Sequence, residues 1–334
     1  MFKFLKRQQP DPIAKASIPV QPAINAQALL SRMAWTSAKR LDGLLQGDYR
    51  TLFRGAGLML ADLREYEPQD DVRHIDWNVT ARMQTPYVRQ HEQDRELAAW
   101  FLVDLSASVS FGSGRTTKRM IAAEAVATLG HLLTRHGNRI GAILDRAGPP
   151  VEILPARSGQ RHLLHLLQRL LNDSQATSRA SAAQHGVTSL QDMLTRAGRL
   201  IRQRATVFIV SDFYTAPDWD KALLSLAKRH DVVAIRLVDP LERELPDMGM
   251  LTIRDPETGE QVFVDTSDKS FRQRFERSAR AHEARLLHAL SQAGVDCLEL
   301  DTHAPVHEGL RRFIVQRQQM LRQSVSGGQH AALA

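Results

Sequence analysis

The chain has 334 residues, 43% of them hydrophobic, which is enough for one large or two modest domains with a buried core. Its formal net charge of +7 is mildly basic and does not by itself identify an anionic partner. A single cysteine excludes an intramolecular disulfide bond, and no apolar run approaches the roughly 18 residues needed to span a bilayer, so we expect a cytoplasmic protein.

The amino-terminal part of the chain divides into a leader and a segment rich in charged residues. Residues 1–25 contain four prolines and little periodicity, which predicts a flexible leader. Apolar residues recur at helical spacing over 27–47, which predicts a helix. Residues 62–96 mix acidic and basic side chains as in an internally paired network, in which Trp77 is interpreted as a packing anchor. We expect 26–96 to form an irregular extension that packs on the main domain.

From about residue 97 the hydrophobic pattern alternates between strands and helices. The predicted strands are 98–104, 139–145, 205–211, 232–238 and 295–300. Because the central strands are continuous apolar runs, they suit a parallel sheet covered by helices on both faces. We expect a doubly wound, mostly parallel α/β domain over 97–322, with a hairpin at 250–264 and a disordered tail at 323–334.

Oxygen-bearing side chains follow two of these strands and precede one of the helices. Asp104, Ser106 and Ser108 end the first strand, Thr188 precedes a helix, and Asp212 follows the next strand. The carboxyl ends of parallel strands meet at one edge of the sheet, so the three pieces can meet there. Oxygen atoms are the ligands that Mg²⁺ prefers, and they also suit Mn²⁺ or Ca²⁺. The set predicts a divalent cation site that has an open coordination position for a carboxylate of another molecule.

Each piece of this set also has a local structural explanation. Ser106 or Ser108 can cap the helix that follows the strand. Thr188 and Gln191 have the spacing of a capping box, and Asp212 can be a turn residue. The presence of all the pieces in the right order on the right elements favours the metal site.

This arrangement resembles the von Willebrand factor type A domain and its metal-ion-dependent adhesion site. The segment before it resembles the signature of the family called domain of unknown function 58, and the resemblance extends over about residues 28–320. The signature segments are Arg54–Gly57, Asp62–Pro68, Asp70–Asn78 and Ala81–Arg82. Two departures stand out. Many relatives carry amino-terminal transmembrane helices, which we do not expect in this chain, and Gln69 replaces a usual glycine.

The resemblance implies a role in binding other proteins. The residues that match the adhesion site are Asp104, Ser106, Ser108, Thr188 and Asp212. Family members are commonly encoded beside MoxR-type AAA+ ATPases, so the resemblance implies a non-enzymatic adaptor or co-chaperone of such an ATPase. It would grip a carboxylate of its partner through the metal, and it leaves the client protein unidentified.

Two other classes of function stay open at this stage. Nucleic-acid binding is suggested by the basic charge and by arginines on one predicted helix, at positions 272, 274, 277, 280 and 285. A metal-dependent hydrolase lacks an evident general base beside Ser106, and no phosphate-binding loop is present in the sequence. His162 and His165 lack a third ligand for zinc, and Cys297 is interpreted as a buried hydrophobic residue.

Overall fold

The computed structural model describes residues 63–68, 70–89, 98–114, 116–146, 150–172, 189–216, 218–254 and 261–331. Within these residues the strands are β1 (Leu63–Glu65), β2 (Tyr87–Arg89), β3 (Ala98–Asp104), β4 (Arg139–Asp145), β5 (Glu152–Arg157), β6 (Thr206–Ser211), β7 (Asp231–Val238), β8 (Met250–Arg254), β9 (Gln261–Asp265) and β10 (Asp296–Asp301). The α-helices are α1 (Trp77–Met83), α2 (Lys118–Arg135), α3 (Gln160–Leu171), α4 (Leu190–Leu200), α5 (Asp220–Ala227), α6 (Pro240–Arg243), α7 (Lys269–Gln292) and α8 (Val306–Ala331).

Six strands form one mostly parallel sheet in the order β10-β7-β6-β3-β4-β5. Neighbouring strands pair in parallel except β4 and β5, which pair antiparallel at one edge. This sheet and its flanking helices confirm the predicted α/β class. The chain moves outward from β3 to β4 and in the opposite direction from β6 to β7, so the strand order reverses between β3 and β6. In open α/β sheets, ligands bind at the carboxyl ends of the strands at such a reversal.

Residues that alternate along each central strand pack against different helices on the two faces of the sheet. On one face, the rings of Phe101 and Phe208 stack with centroids 5.1 Å apart, in a core shared with α2, α3 and α8. On the other face, Leu102 and Ile209 belong to a core shared with α4, α5 and α7. Because helices cover both faces, the residues at 98–103 of β3 and 207–210 of β6 are all apolar, which explains the continuous hydrophobic runs.

The strands predicted for the main sheet are confirmed to within one residue at each end. The sequence prediction misses β5, because Pro155 lies within it and proline cannot donate a hydrogen bond to a neighbouring strand. The strand is an antiparallel edge strand, a place where proline is tolerated. The hairpin predicted at 250–264 is confirmed as the antiparallel pair β8 and β9, whose tip at 255–260 lies outside the described residues.

Outside the main sheet, some predicted features differ from the structure, and others lie outside the described residues. Trp77 is not a packing anchor, because 68% of its surface is exposed, whereas Asp76 and Val88 of the same segment are buried. The backbone of α8 is helical through Ala331, whereas disorder was expected from residue 323. A helix that has already formed can extend in this way, because each added residue gains a hydrogen bond. The leader at 1–25, the helix at 27–47 and Gln69 lie outside the described residues.

Candidate metal centre

The carboxyl end of β3 presents a carboxylate and two hydroxyls that are linked by hydrogen bonds. The backbone N–H of Ser106 donates to Oδ1 of Asp104 at 2.9 Å, and Oγ of Ser211 donates to Oδ2 of Asp104 at 2.8 Å. The hydroxyl oxygens of Ser106 and Ser108 lie 2.9 Å apart. Ser106 precedes the 3₁₀ helix Ala107–Ser110, but its side chain makes no capping hydrogen bond, so capping does not explain this serine.

Asp104 is a buried carboxylate without a positively charged partner among the described contacts. Burial and the negative charge of Asp212 raise the pKa of Asp104 to about 6, although hydrogen bonds from Ser106 and Ser211 act in the opposite direction. The donors to this carboxylate among the described residues are neutral. A divalent cation placed here would supply the missing positive charge.

The end of β6 brings Asp212 to the same place, as the sequence predicted. Its Oδ1 accepts a hydrogen bond from the backbone N–H of Tyr214 at 3.1 Å, so Asp212 does shape a turn. Its Oδ2 lies 2.6 Å from Nζ of Lys118, so the residue has a second role beyond the turn. Asp104, Ser106, Ser108 and Asp212 therefore meet at the reversal of strand order.

Thr188 lies outside the described residues, so its place at this site stays a prediction. The helix that follows it begins one residue later than the capping-box spacing suggested. Ser189 is the N-cap of α4, and its hydroxyl accepts a hydrogen bond from the backbone N–H of Asp192 at 3.2 Å. The described N-cap of this helix is therefore Ser189.

Lys118 is the site residue that the sequence analysis missed. It is the first residue of α2, its side chain is fully buried, and its ammonium contacts both Asp212 and Glu242 of α6. Burial acts to lower the pKa of Lys118, but the charges of Asp212 and Glu242 outweigh it and raise that pKa. Lys118 is therefore a cation at neutral pH and is not suited to act as a general base.

Two sequence signals could have identified Lys118. It lies in phase with Ile121, Ala122 and Ala125, which are buried positions of the same helix. It also places a positive charge in the first turn of a helix, where the helix dipole disfavours cations. A lysine that violates both preferences requires a specific anionic partner.

The loop between β3 and α2 is also fastened to a second carboxylate at the same edge of the sheet. Asp239 is fully buried and accepts hydrogen bonds from the backbone N–H and the hydroxyl of Ser113, at 2.7 and 2.6 Å. It also accepts from Thr302 at 2.7 Å and from the backbone N–H of Leu241 at 3.0 Å. Burial acts to raise the pKa of Asp239, but these hydrogen bonds outweigh it and lower that pKa. Asp239 is satisfied by the protein itself.

The chemistry of this site is that of oxygen ligands around positive charge. The hydroxyls and carboxylates fit a hard cation such as Mg²⁺, with Thr188 predicted as a further hydroxyl. The described residues do not contain a cage of three or more His, Cys, Asp or Glu side chains, so the candidate site depends on its serines. In the described part of the chain, no histidine hydrogen-bonds to the Ser106 or Ser108 hydroxyl, which disfavours a serine nucleophile of the triad type.

The other candidates from the sequence have local partners. His162 donates to the carbonyl of Ile140 across 3.0 Å. Cys297 is half-buried, and burial raises its pKa to about 11. Three of the arginines of α7 have partners. Arg272 bonds to the carbonyl of Thr266, Arg280 pairs with Glu276, and Arg285 donates to the carbonyl of Ala281. A search of the described helices for one of sufficient length and apolarity to cross a membrane finds none.

Comparison with known proteins places these features in context. A sequence model of the family described as protein of unknown function DUF58 matches residues 62–285. The uncharacterised protein Rv1480 of Mycobacterium tuberculosis is 36% identical over 290 residues, which cover 87% of this chain and 89% of that protein. The uncharacterised protein MAV169 of Mycobacterium avium is 34% identical over 164 residues, which cover 49% of this chain and 93% of that protein. Among solved structures, an aerotolerance-related membrane protein from Bacteroides fragilis aligns with a TM-score of 0.42 and 13% identity, over 66% of this chain and 99% of that chain.

Proposed function

The chain belongs to the DUF58 family of proteins of unknown function, and from that premise we propose that it is a metal-dependent module for binding other proteins. The observation that carries the proposal is the convergence of Asp104, Ser106, Ser108 and Asp212 at the point where the strand order reverses. Asp104 is the carboxylate that most needs a cation, since burial raises its pKa to about 6. A bound divalent cation would supply an acceptor site for a carboxylate of the partner.

Within this proposal, the sheet domain has the von Willebrand factor type A fold. Numbered from β3, the sheet has the order 3-2-1-4-5-6, which is a doubly wound arrangement with a ligand crevice at the reversal. The metal ligands would be Asp104, Ser106, Ser108, Thr188 and Asp212. The neutral hydroxyls leave part of the metal charge uncompensated, and this favours a carboxylate from outside.

The partner that we propose is a MoxR-type AAA+ ATPase, with this chain acting in the cytoplasm as its adaptor or co-chaperone. Support for this partner comes from the family resemblance. The geometry adds the kind of group that would be recognised, which is an exposed aspartate or glutamate side chain. Arginines of α7 pair within the protein, which does not favour nucleic-acid binding. Lys118 is protonated, which does not favour hydrolysis with this residue as general base.

Affinity capture from the native cell tests this proposal. The tagged protein should retain a MoxR-type ATPase in Mg²⁺ and release it in EDTA, and Asp104→Ala should capture it at the EDTA level, as measured by mass spectrometry. Ser113→Ala is the matched control, because it removes a hydroxyl of the same loop that is bonded to Asp239. Equal capture by wild type in both buffers and by Asp104→Ala would show that the metal does not mediate binding.

A further inference from the structure

Lys118 brings a fixed positive charge into direct contact with a predicted metal ligand. Its ammonium lies 2.6 Å from Oδ2 of Asp212 and also pairs with Glu242, and the centroid of the Tyr214 ring is 5.9 Å from Nζ. The side chains of Lys118 and Asp212 are both fully buried, whereas that of Glu242 is 20% exposed. An ammonium and a metal ion at the same carboxylate oxygen repel each other, so each weakens the binding of the other.

The charges around Lys118 are unbalanced in a way that a simple structural ion pair does not require. Asp104, Asp212 and Glu242 supply three carboxylates against one ammonium, so the group has a formal charge of −2 when all are ionised. The ammonium pairs with Asp212 and Glu242, whereas the donors to Asp104 in the described part of the chain are neutral. The lysine thus neutralises part of the site and leaves the charge that a divalent cation would match.

We propose that Lys118 is a built-in competitor of the divalent cation for Asp212, and that Glu242 is the partner that retains its ammonium when the cation binds. The inference rests on the proposed metal site and adds a regulator of its affinity. Without a cation, Lys118 prevents the repulsion of Asp104 and Asp212 from opening the site. When a divalent cation binds, it replaces the ammonium of Lys118 at Asp212. Glu242 and the face of the Tyr214 ring then keep the ammonium within the protein.

This exchange makes the occupancy of the site depend on the short helix α6. Glu242 is the third residue of α6, and its other carboxylate oxygen accepts from the backbone N–H of Asp239 at 3.3 Å. The next residue, Arg243, bonds to Glu283 of α7 and Glu299 of β10. A movement of α6 that changes how strongly Glu242 holds Lys118 would therefore change the affinity of the site for metal.

Mn²⁺ titration followed by electron paramagnetic resonance tests the proposal with two variants of opposite expected sign. Lys118→Met removes the competing ammonium and should tighten Mn²⁺ binding by at least about tenfold. Glu242→Gln keeps the shape of the side chain and leaves Lys118 with Asp212 alone, so Mn²⁺ binding should weaken by about threefold or more. Lys118→Met leaves buried carboxylates unpaired, so its fold is checked by circular dichroism. If Lys118→Met is unfolded, the Mn²⁺ affinity of Glu242→Gln decides the test.

Matched controls separate direct competition from the general electrostatic field. Arg280→Gln removes a positive charge and Glu276→Gln a negative charge, both from an exposed pair on α7 whose described contacts do not include Lys118 or Asp212. Each control should change Mn²⁺ affinity by less than about twofold, since screening weakens charges that are not in contact. Equal affinity in wild type, Lys118→Met and Glu242→Gln would overturn the competition and leave the metal site intact. Absence of Mn²⁺ binding in every folded variant would instead overturn the metal site, and the competition with it.

Discussion

At the scale of single residues, Asp104 and Asp239 are two buried carboxylates with opposite electrostatic character. Asp104 accepts from Ser106 and Ser211, and burial together with Asp212 raises its pKa to about 6. Burial acts on Asp239 in the same direction, but hydrogen bonds from Ser113 and Thr302 reverse it and lower its pKa. The same chemical group therefore destabilises the metal-free fold at one position and stabilises it at the other.

Asp104→Asn is expected to stabilise the metal-free protein at neutral pH. The raised pKa means that the folded state retains a proton between about pH 4 and about pH 6 that the unfolded state has released, so this group stabilises the fold less as pH rises. The gain for Asp104→Asn should grow through that range to as much as about 3 kcal/mol above pH 6. Urea unfolding in EDTA across this range measures it, and a variant less stable than wild type at neutral pH would contradict the assigned environment.

Asp239→Asn should behave in the opposite way in the same experiment. A lowered pKa contributes stability above the ordinary pKa of aspartate, and that stability is lost as pH falls through the folded-state value. The variant should therefore be less stable than wild type at neutral pH, and the difference should shrink in acid. A destabilisation that stayed constant down to about pH 2 would show that lost packing, and not the charge, is responsible.

The sequence indicated the residues with oxygen side chains at this edge of the sheet but not Lys118. Asp104, Ser106, Ser108 and Asp212 follow strands, and the position of a residue at the end of a strand can be inferred from hydrophobic runs. Lys118 lies 94 residues from Asp212 and 124 from Glu242, and such contacts depend on how strands are ordered in space. The out-of-place charge of Lys118 was visible in the sequence, whereas its partners were not.

At the scale of elements, the loop between β3 and α2 is anchored at two separate points on this edge of the sheet. Ser113 in this loop bonds to Asp239, and Lys118 at its end bonds to Asp212 and Glu242. The turn itself is tight, because a Cβ atom on Gly112 would lie 2.3 Å from the carbonyl oxygen of Thr116. The Cβ position is fixed by the backbone of Gly112 and the atom that it meets is also backbone, so a change of rotamer cannot relieve the clash.

Gly112→Ala is expected to destabilise the protein and to change its affinity for metal at the same time. The added methyl group must displace the backbone of 116–117 and with it Lys118, at a cost of about 2 kcal/mol or more. Gly198→Ala is the matched control. Gly198 lies in helix α4, and its Cβ atom would meet its nearest neighbour, the side chain of Leu226, at 4.0 Å. That control should gain about 0.5–1 kcal/mol from helix propensity and bind metal as wild type does. Thermal unfolding and Mn²⁺ titration measure both effects, and equal behaviour of the two variants would contradict the tight turn.

Elements with strong periodic patterns could be predicted from the sequence, and those at the edges could not. The parallel strands are apolar on both faces because helices cover both faces, so their runs are easy to recognise. β5 is short, alternates in burial and contains Pro155, which removes the hydrophobic signal and a hydrogen-bond donor. The N-cap of α4 is Ser189, one residue after the position that the capping-box spacing suggested. Both serine and threonine cap helices, so the sequence could not distinguish the two positions.

At the scale of the whole molecule, the order of the strands creates the site. The alternation of strands and helices predicts a parallel sheet, but it does not predict that β6 pairs with β3 on the side opposite to β4. This pairing places Ser211 against Asp104 and Asp212 beside it. A sheet that continued in one direction from β3 would separate these residues, so the strand order is the fact that the sequence alone could not supply.

The most direct test of the metal centre is a calorimetric titration of the metal-free protein with Mg²⁺. Wild type and Ser113→Ala should bind a single Mg²⁺ per chain with the same affinity, because the Ser113 hydroxyl is committed to Asp239. The double variant Ser106→Ala/Ser108→Ala keeps both carboxylates and Lys118 but should lose at least about tenfold in affinity, because the hydroxyl ligands are removed. Binding of equal affinity in the double variant, or no binding by wild type, would contradict the assignment of a metal centre to this edge of the sheet.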